Sequence, residues 1–306
     1  SDNYACMYTR TTGIWQTVWL EKVPQTWIRD VVITPLDSLD GVEITVVAGG
    51  SAREAGAVDG ADVESGAARG AAGGGAFDSD KAVRDLPAQV TVYADGVAVA
   101  AAAYIPGEPI RPALPDPRLW SPEDPFLYDV RVRLGTDEVQ SYFGLRTFGT
   151  GPDSAGHQRL LLNGKPYLHA GLLDQGYWPQ GLYTPPSDAA VVKELKQVKA
   201  LGFNLLRKHA KIEPQRWYYH CDRLGLVVWQ DMVSGGTPSK LWFVTYLTNV
   251  FQPLLRKFPD GAPFYRLLSR PDAASRDLYR EELNATVDAL TCHPCIGCWV
   301  PFNEGW

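Results

Sequence analysis

Two groups of residues near the end of the chain have types and spacing suited to chemistry. Cys292, His293, Cys295 and Cys298 lie close together, and their spacing resembles zinc or iron–sulfur ligand sets. Glu304 follows Asn303 directly after the apolar run IGCWVPF, where a strand of an α/β barrel delivers its working groups. A carboxylic acid there can protonate a leaving oxygen, and the amide beside it can bind a hydroxyl. Three features speak against a metal. Cys298 sits inside an apolar strand, alternation sets it on the face opposite Trp299, and no second cysteine pair completes the set. Free cysteine is also readily buried as a small apolar side chain. We expect no metal. Position alone, however, does not separate a catalytic Glu304 from a surface glutamate that happens to follow a strand.

The elements that would position Glu304 begin near Gly149, where the pattern becomes strand, helix, strand, helix. KPYLHAGLL reads as a strand, followed by the loop DQGYWPQGLYTPPS. A helix is expected over Asp188–Leu201, with Val191, Leu195, Val198 and Leu201 on one face, Ser187 or Asp188 as cap and Gly202 as stop. FNLLRK is the next strand. Pro214 opens a helix carrying Trp217, Cys221 and Leu224, ended by Gly225, and LGLVVWQD is a third, nearly continuous apolar strand. After an aromatic-rich excursion, Ser275–Leu290 forms a helix with Tyr279, Leu283, Val287 and Leu290 inward, and IGCWVPF is the fourth strand. This alternation argues for βα units. A (β/α)8 barrel fits it best; a doubly wound sheet fits less well, since no glycine-rich phosphate loop follows any strand.

Upstream the chain reads as β. TGIWQTVWLE, WIRDVVITPL and GVEITVV have strand spacing, and Asp95-Gly96 is a hairpin turn within PAQVTVYADGVAVAAAAYI. Between Ala48 and Asp80 the composition turns to Gly, Ala and scattered charges, which predicts a disordered surface insertion. The chain has 306 residues, 45% of them hydrophobic, enough for two or three domains with real cores. A net charge of −6 argues against nucleic acid as the main partner. No apolar run spans a bilayer, and the first residues lack the basic and apolar regions of a signal peptide. The odd number of cysteines, five, does not suggest a disulfide framework, so the compartment stays open. Ten tryptophans are in keeping with a sugar-binding surface, where rings stack on sugar faces, but core packing is the better account of most of them.

Several of these segments together resemble glycoside hydrolase family 2, which holds β-galactosidases, β-glucuronidases and β-mannosidases. TGIWQTVWLE resembles the end of its sugar-binding β-sandwich; LWSPEDPFLYDVRVRL and FGLRTF resemble the end of its immunoglobulin-like domain. LLLNGKPYLHAG resembles the entry to the barrel, NLLR and CDRLGLVVWQDM its second and third βα units, and HPCIGCWVPFNE the signature carrying the acid/base glutamate. The resemblance implies residues 1–28 as the remnant of a jelly-roll sugar-binding domain and 29–148 as an immunoglobulin-like β-sandwich. It implies 149–306 as the first half of a (β/α)8 TIM barrel.

The implied activity is that of a retaining, exo-acting β-glycosidase on a terminal β-linked sugar, with no cofactor. Glu304 would be the general acid, then the general base. Asn303 would bind the sugar 2-hydroxyl, and Arg207 would help hold the nucleophilic carboxylate. Asp174, Gln175, Trp178, Trp229 and Asp231 would line the pocket, although barrel-wall burial is as good an account of Trp178 and Trp229. Where β-galactosidase-like members carry a histidine after the arginine, this chain has Ala210, with His209 displaced by one, and Gln175 replaces a second histidine. This suggests a divergent subgroup. A whole barrel takes roughly 250 residues, so residues 149–306 are expected to be a fragment without the second glutamate, the nucleophile. The alternative is a non-catalytic carbohydrate-binding protein on the same scaffold.

Overall fold

A computed structural model describes residues 13–50, 86–233, 242, 250, 270 and 272–303. The chain divides into two compact units, one made of Trp19–Leu119 and Leu127–Leu145, the other of Ser1–Val18, Trp120–Phe126 and Arg146–Trp306.

The first unit is antiparallel β. β1 (Trp27–Pro35) and β2 (Val42–Gly49) pair in one sheet. β3 (Ala88–Ala94), β4 (Val97–Ala103), β5 (Tyr128–Leu134) and β6 (Asp137–Phe143) form another, in the order β4–β3–β5–β6. Strict alternation decides which face is core: Tyr128, Val130, Val132 and Leu134 of β5 are buried, while Asp129 and Arg133 between them are exposed. Asp95 and Gly96, with φ of 48° and 79°, make the expected tight turn between β3 and β4. Positive φ at both central residues gives the hairpin a twist that matches its strands.

The second unit starts with a three-stranded antiparallel sheet, β7 (Phe148–Pro152), β8 (Gln158–Leu162) and β9 (Lys165–Pro166). Four parallel strands follow in chain order: β10 (Gly171–Asp174), β11 (Leu205–Lys208), β12 (Val227–Asp231) and β13 (Ile296–Val300). Helices occupy their connections: α1 (Asp188–Ala200), α2 (Gln215–Leu224) and α3 (Ala273–Leu290). Parallel neighbours need such crossovers. Two of these three helices start with a side-chain cap, while α2 follows Pro214 without one. Ser187 caps α1 by accepting from the Ala190 N–H, and Asp272 caps α3 by accepting from that of Ser275 at 2.8 Å. Gly225 ends α2 with φ 71°, and a Cβ there would lie 2.5 Å from the Pro122 carbonyl oxygen, so both conformation and space demand glycine.

Several expectations are corrected. Residues 13–26 form neither helix nor strand, although TGIWQTVWLE alternates; Ile14 is 84% and Leu20 100% exposed. A strand needs a neighbour for its backbone groups, and none pairs with this segment among the described residues. KPYLHAGLL is not one strand but two, since β9 stops at Pro166 and β10 begins at Gly171. Leu201 lies at the C-cap of α1 and is 72% exposed, off the buried stripe of Val191, Leu195 and Val198. Strand β2 carries through Ala48 and Gly49, so an insertion cannot start at 48; the rest of that stretch, 51–80, lies outside the described residues. Trp120–Phe126 goes with the second unit rather than with the β region around it, and residues 1–28 are shared between the units. Trp120 shows why: it is fully buried and its indole N–H donates to the Asp222 carbonyl at 2.8 Å. No helix among the described residues is long and apolar enough to cross a membrane.

Candidate active site

Alternation along β11 sends Arg207 to one face of the parallel sheet and Leu206 and Lys208 to the other. On its face Arg207 meets Asp231, the last residue of β12. Nε donates to Oδ1 at 2.8 Å and Nη2 to Oδ2 at 3.0 Å. The same Nη2 donates to Asn303 Oδ1, beyond the end of β13, at 2.9 Å. Asp231 is wholly buried, whereas a third of the Arg207 side chain (33%) is exposed. Three strands thus bring a guanidinium, a carboxylate and an amide together at their carboxyl ends. Glu304, the next residue after Asn303, lies outside the described residues.

Trp229 stands beside Arg207, its register partner across β11 and β12, and opposite Cys298 across β12 and β13. Its indole N–H donates to His169 Nδ1 at 3.1 Å, and the rings meet edge-on at 5.6 Å. Burial pushes the His169 pKa below its usual value, so the ring is neutral near pH 7 and Nδ1 is free to accept. The Cys298 thiol is pushed up, first by burial and then by Asp231. His169 was not among the expected site residues. A lone histidine ahead of an apolar strand carries no spacing signal, because its partner is sixty residues away.

The other face of β11 holds a second ionic group. Lys208 Nζ reaches Asp174 Oδ2 at 2.7 Å and Glu213 Oε1 at 2.8 Å, and Lys211 reaches the same Glu213 oxygen at 2.8 Å. Both lysines are 1% exposed and Glu213 is 3%. Lys211 also donates to the carbonyls of Gly176 (2.6 Å) and Tyr183 (2.8 Å), and lies over the rings of Tyr183 and Trp15. It thereby pins both ends of the loop after β10. Burial alone would lower the Lys208 pKa, but Asp174 and Glu213 outweigh it and the net shift is upward; for Lys211 burial prevails and the shift is downward.

Of the residues expected in the pocket, the structure therefore gathers Arg207, Asp231 and Asn303, with Trp229 alongside. Asp174 points to the opposite face, toward Lys208. With Gln175, Tyr177 and Glu194 it lines a cavity of about 290 Å³. Trp178 sits in the loop, exchanging backbone hydrogen bonds with Leu182.

The cysteine-rich stretch takes other roles. His293 Nδ1 contacts Asp222 Oδ2 at 2.7 Å, and the Cys295 N–H donates to Asp222 Oδ1 at 2.8 Å. Asp222 and Cys295 are fully buried, while Cys292 is exposed at the end of α3. Cys298 faces Trp229. Among the described residues no three potential ligands cluster around a common point.

Residues 26–146 match the family model described as Glycosyl hydrolases family 2. A putative beta-glucuronidase of Formosa agariphila is 29% identical over 134 residues, 42% of this chain and 16% of that protein. A beta-galactosidase of Lactococcus lactis is 30% identical over 118 residues, 38% of this chain and 12% of that protein. Among solved structures, the Faecalibacterium prausnitzii beta-glucuronidase superposes with a TM-score of 0.59 at 22% identity, over 90% of this chain and 36% of its own. The chain spans about a third of the length of that structure and less than a fifth of these curated relatives.

Proposed function

We propose that this chain belongs to glycosyl hydrolases family 2, whose model matches residues 26–146, and carries the acid/base half of a retaining, exo-acting β-glycosidase site. The four parallel strands are the first half of a (β/α)8 barrel, and the antiparallel unit is an immunoglobulin-like β-sandwich. Relatives named for β-glucuronidase and β-galactosidase activity support hydrolysis of a terminal β-linked sugar. One observation carries the proposal: Arg207 holds Asn303 at the carboxyl ends of the strands, immediately before Glu304. A barrel active site lies at that edge.

In the proposed reaction Glu304 protonates the leaving oxygen while a second glutamate, from residues outside this chain, attacks the anomeric carbon. Glu304 then returns as the base that activates water against the glycosyl-enzyme. Asn303 binds the 2-hydroxyl as the ring flattens. Residues 1–306 alone give no turnover, because the covalent intermediate cannot form. In the complete enzyme, Glu304→Gln lowers kcat/KM for poor leaving groups by roughly 10²–10⁴-fold. It spares glycosylation by activated aryl glycosides, which leave without a proton, and azide rescues the second step. Equal losses across a leaving-group series, with no azide rescue, would remove Glu304 from the acid/base role.

A further inference from the structure

We propose that Asp231 is a positioning residue: through Arg207 it fixes the Asn303 amide so that Nδ2 is presented as the donor to a sugar hydroxyl. The proposal rests on the glycosidase site described above and assigns within it a direction of hydrogen bonding. A guanidinium only donates, so the Asn303 atom facing Arg207 at 2.9 Å must be the carbonyl oxygen. The amide is planar, and fixing Oδ1 turns the NH₂ to the other side. Asn303 then offers donors to the sugar. The hydroxyl it recognises accepts, and keeps its own proton to give elsewhere.

Asp231 makes this orientation fixed rather than one among several. Arg207 is partly exposed, and a long side chain of that kind loses rotamer freedom only when something holds it. Asp231 takes both Nε (2.8 Å) and Nη2 (3.0 Å), the two-point grip that matches a carboxylate to a planar fork. The remaining geometry follows from the guanidinium itself. Nη2 carries two hydrogens at about 120° to each other in one plane. Once one is directed at Asp231 Oδ2, the other can only point away from it, and that is where Asn303 Oδ1 lies. The clamp is itself anchored. Asp231 closes β12, its register partner on β13 is Val300, and the carboxylate is fully buried, so it has no solvent to turn toward. A buried carboxylate of this kind persists by being paired, which ties Asp231 and Arg207 to one geometry.

The test uses the complete enzyme and two nitrophenyl β-glycosides that differ only at carbon 2, one bearing the hydroxyl and one 2-deoxy. Asp231→Asn keeps the size of the side chain but loses the two-point grip. Arg207→Lys keeps a charge opposite Asp231 but lacks the fork that serves two acceptors. In both variants kcat/KM on the 2-hydroxy substrate falls by at least about tenfold more than on the 2-deoxy substrate, the scale set by one hydrogen bond to a charged or preoriented group. A purely structural role lowers both substrates equally. Equal losses in both variants, or undiminished preference for the 2-hydroxy substrate, would overturn the role of Asp231 while leaving the glycosidase proposal standing. A wild-type enzyme inactive on every β-glycoside would defeat both. If Asp231→Asn does not fold, Arg207→Lys alone decides between these outcomes.

Discussion

Glu213→Gln tests whether the buried ionic group under β11 is a balanced set. Two lysines, each 1% exposed, share one Glu213 oxygen, and Asp174 supplies the second negative charge. Neutralising Glu213 leaves one positive charge in excess. Lys208 keeps Asp174 at 2.7 Å, so the burden falls on Lys211, which retains the carbonyls of Gly176 and Tyr183 and the faces of two rings. Breaking a buried pair from one side costs about 3–5 kcal/mol. The ring faces offset a fraction of that, each contact contributing about 0.5–2 kcal/mol, so we expect the lower end, about 3 kcal/mol. The melting temperature then drops by roughly 6–12 °C. The decisive arm is Lys211→Met with Glu213→Leu, which removes one charge of each sign and leaves Lys208 facing Asp174. This pair should lie within about 1 kcal/mol of wild type, because apolar replacement of a whole buried pair is often neutral. Urea unfolding followed by tryptophan fluorescence reads it directly, since Trp15 lies against Lys211 and Trp217 against Lys208. Additive losses in the double variant, or a Glu213→Gln cost below about 0.5 kcal/mol, would refute the reasoning.

Two further outcomes follow from single contacts. His169 is held below its ordinary pKa of 6.5 by burial, so the unfolded chain takes up a proton that the native ring refuses; stability is full above pH 6.5 and declines as pH falls below it. His169→Gln keeps an acceptor for Trp229 and flattens that acid slope in a pH series of urea midpoints, leaving the part due to His220, which burial also depresses; an unchanged slope counts against it. Trp120→Phe removes ring area from a fully buried site together with the indole bond to the Asp222 carbonyl, and calorimetry should register a loss of about 2–3 kcal/mol; a loss under 1 would mean the site closes up around phenylalanine.

The parallel strands and their helices were legible because their signals are local. A cap such as Ser187, a stop such as Gly225, and apolar runs bounded by polar residues are each readable within a few positions. The hairpin at Asp95-Gly96 was legible for the same reason. TGIWQTVWLE misled because alternation reports only one side of a strand; whether a partner pairs with it is a tertiary fact. Arg207, Asp231 and Asn303 could be named from the sequence, but not joined, since their contacts span 24 and 96 positions. Asp174 was assigned to the pocket by its place after a strand, yet the face it occupies is set by register with Lys208. Lys208, Lys211 and Glu213 were missed altogether. A lysine closing a strand and two charged residues in the segment after it carry no local sign of burial, and only the fold reveals that they are buried together.

Adjacent residues of β11 thus serve two ionic systems on opposite faces. Arg207 looks toward Asp231 and Asn303, Lys208 toward Asp174 and Glu213. A shift of this strand by one residue would exchange them. Lysine would then face Asp231 without a fork, and arginine would enter the tight space against Trp217, where Lys208 Nζ lies 4.3 Å from the ring centre. Both exchanges keep the charges but lose the geometry that pairs them with buried carboxylates, so the two clusters together penalise slippage far more than the apolar pattern of Leu205 and Leu206, which reads nearly the same either way. The second cluster also reaches the first strand's loop. Gly176 has φ 65°, and a Cβ there would lie 2.5 Å from Glu213 Oε1, so the loop takes its path against the same carboxylate that fixes the lysines. The two systems of β11 together set its register, the first also fixing the direction of Arg207 and the second the path of the loop.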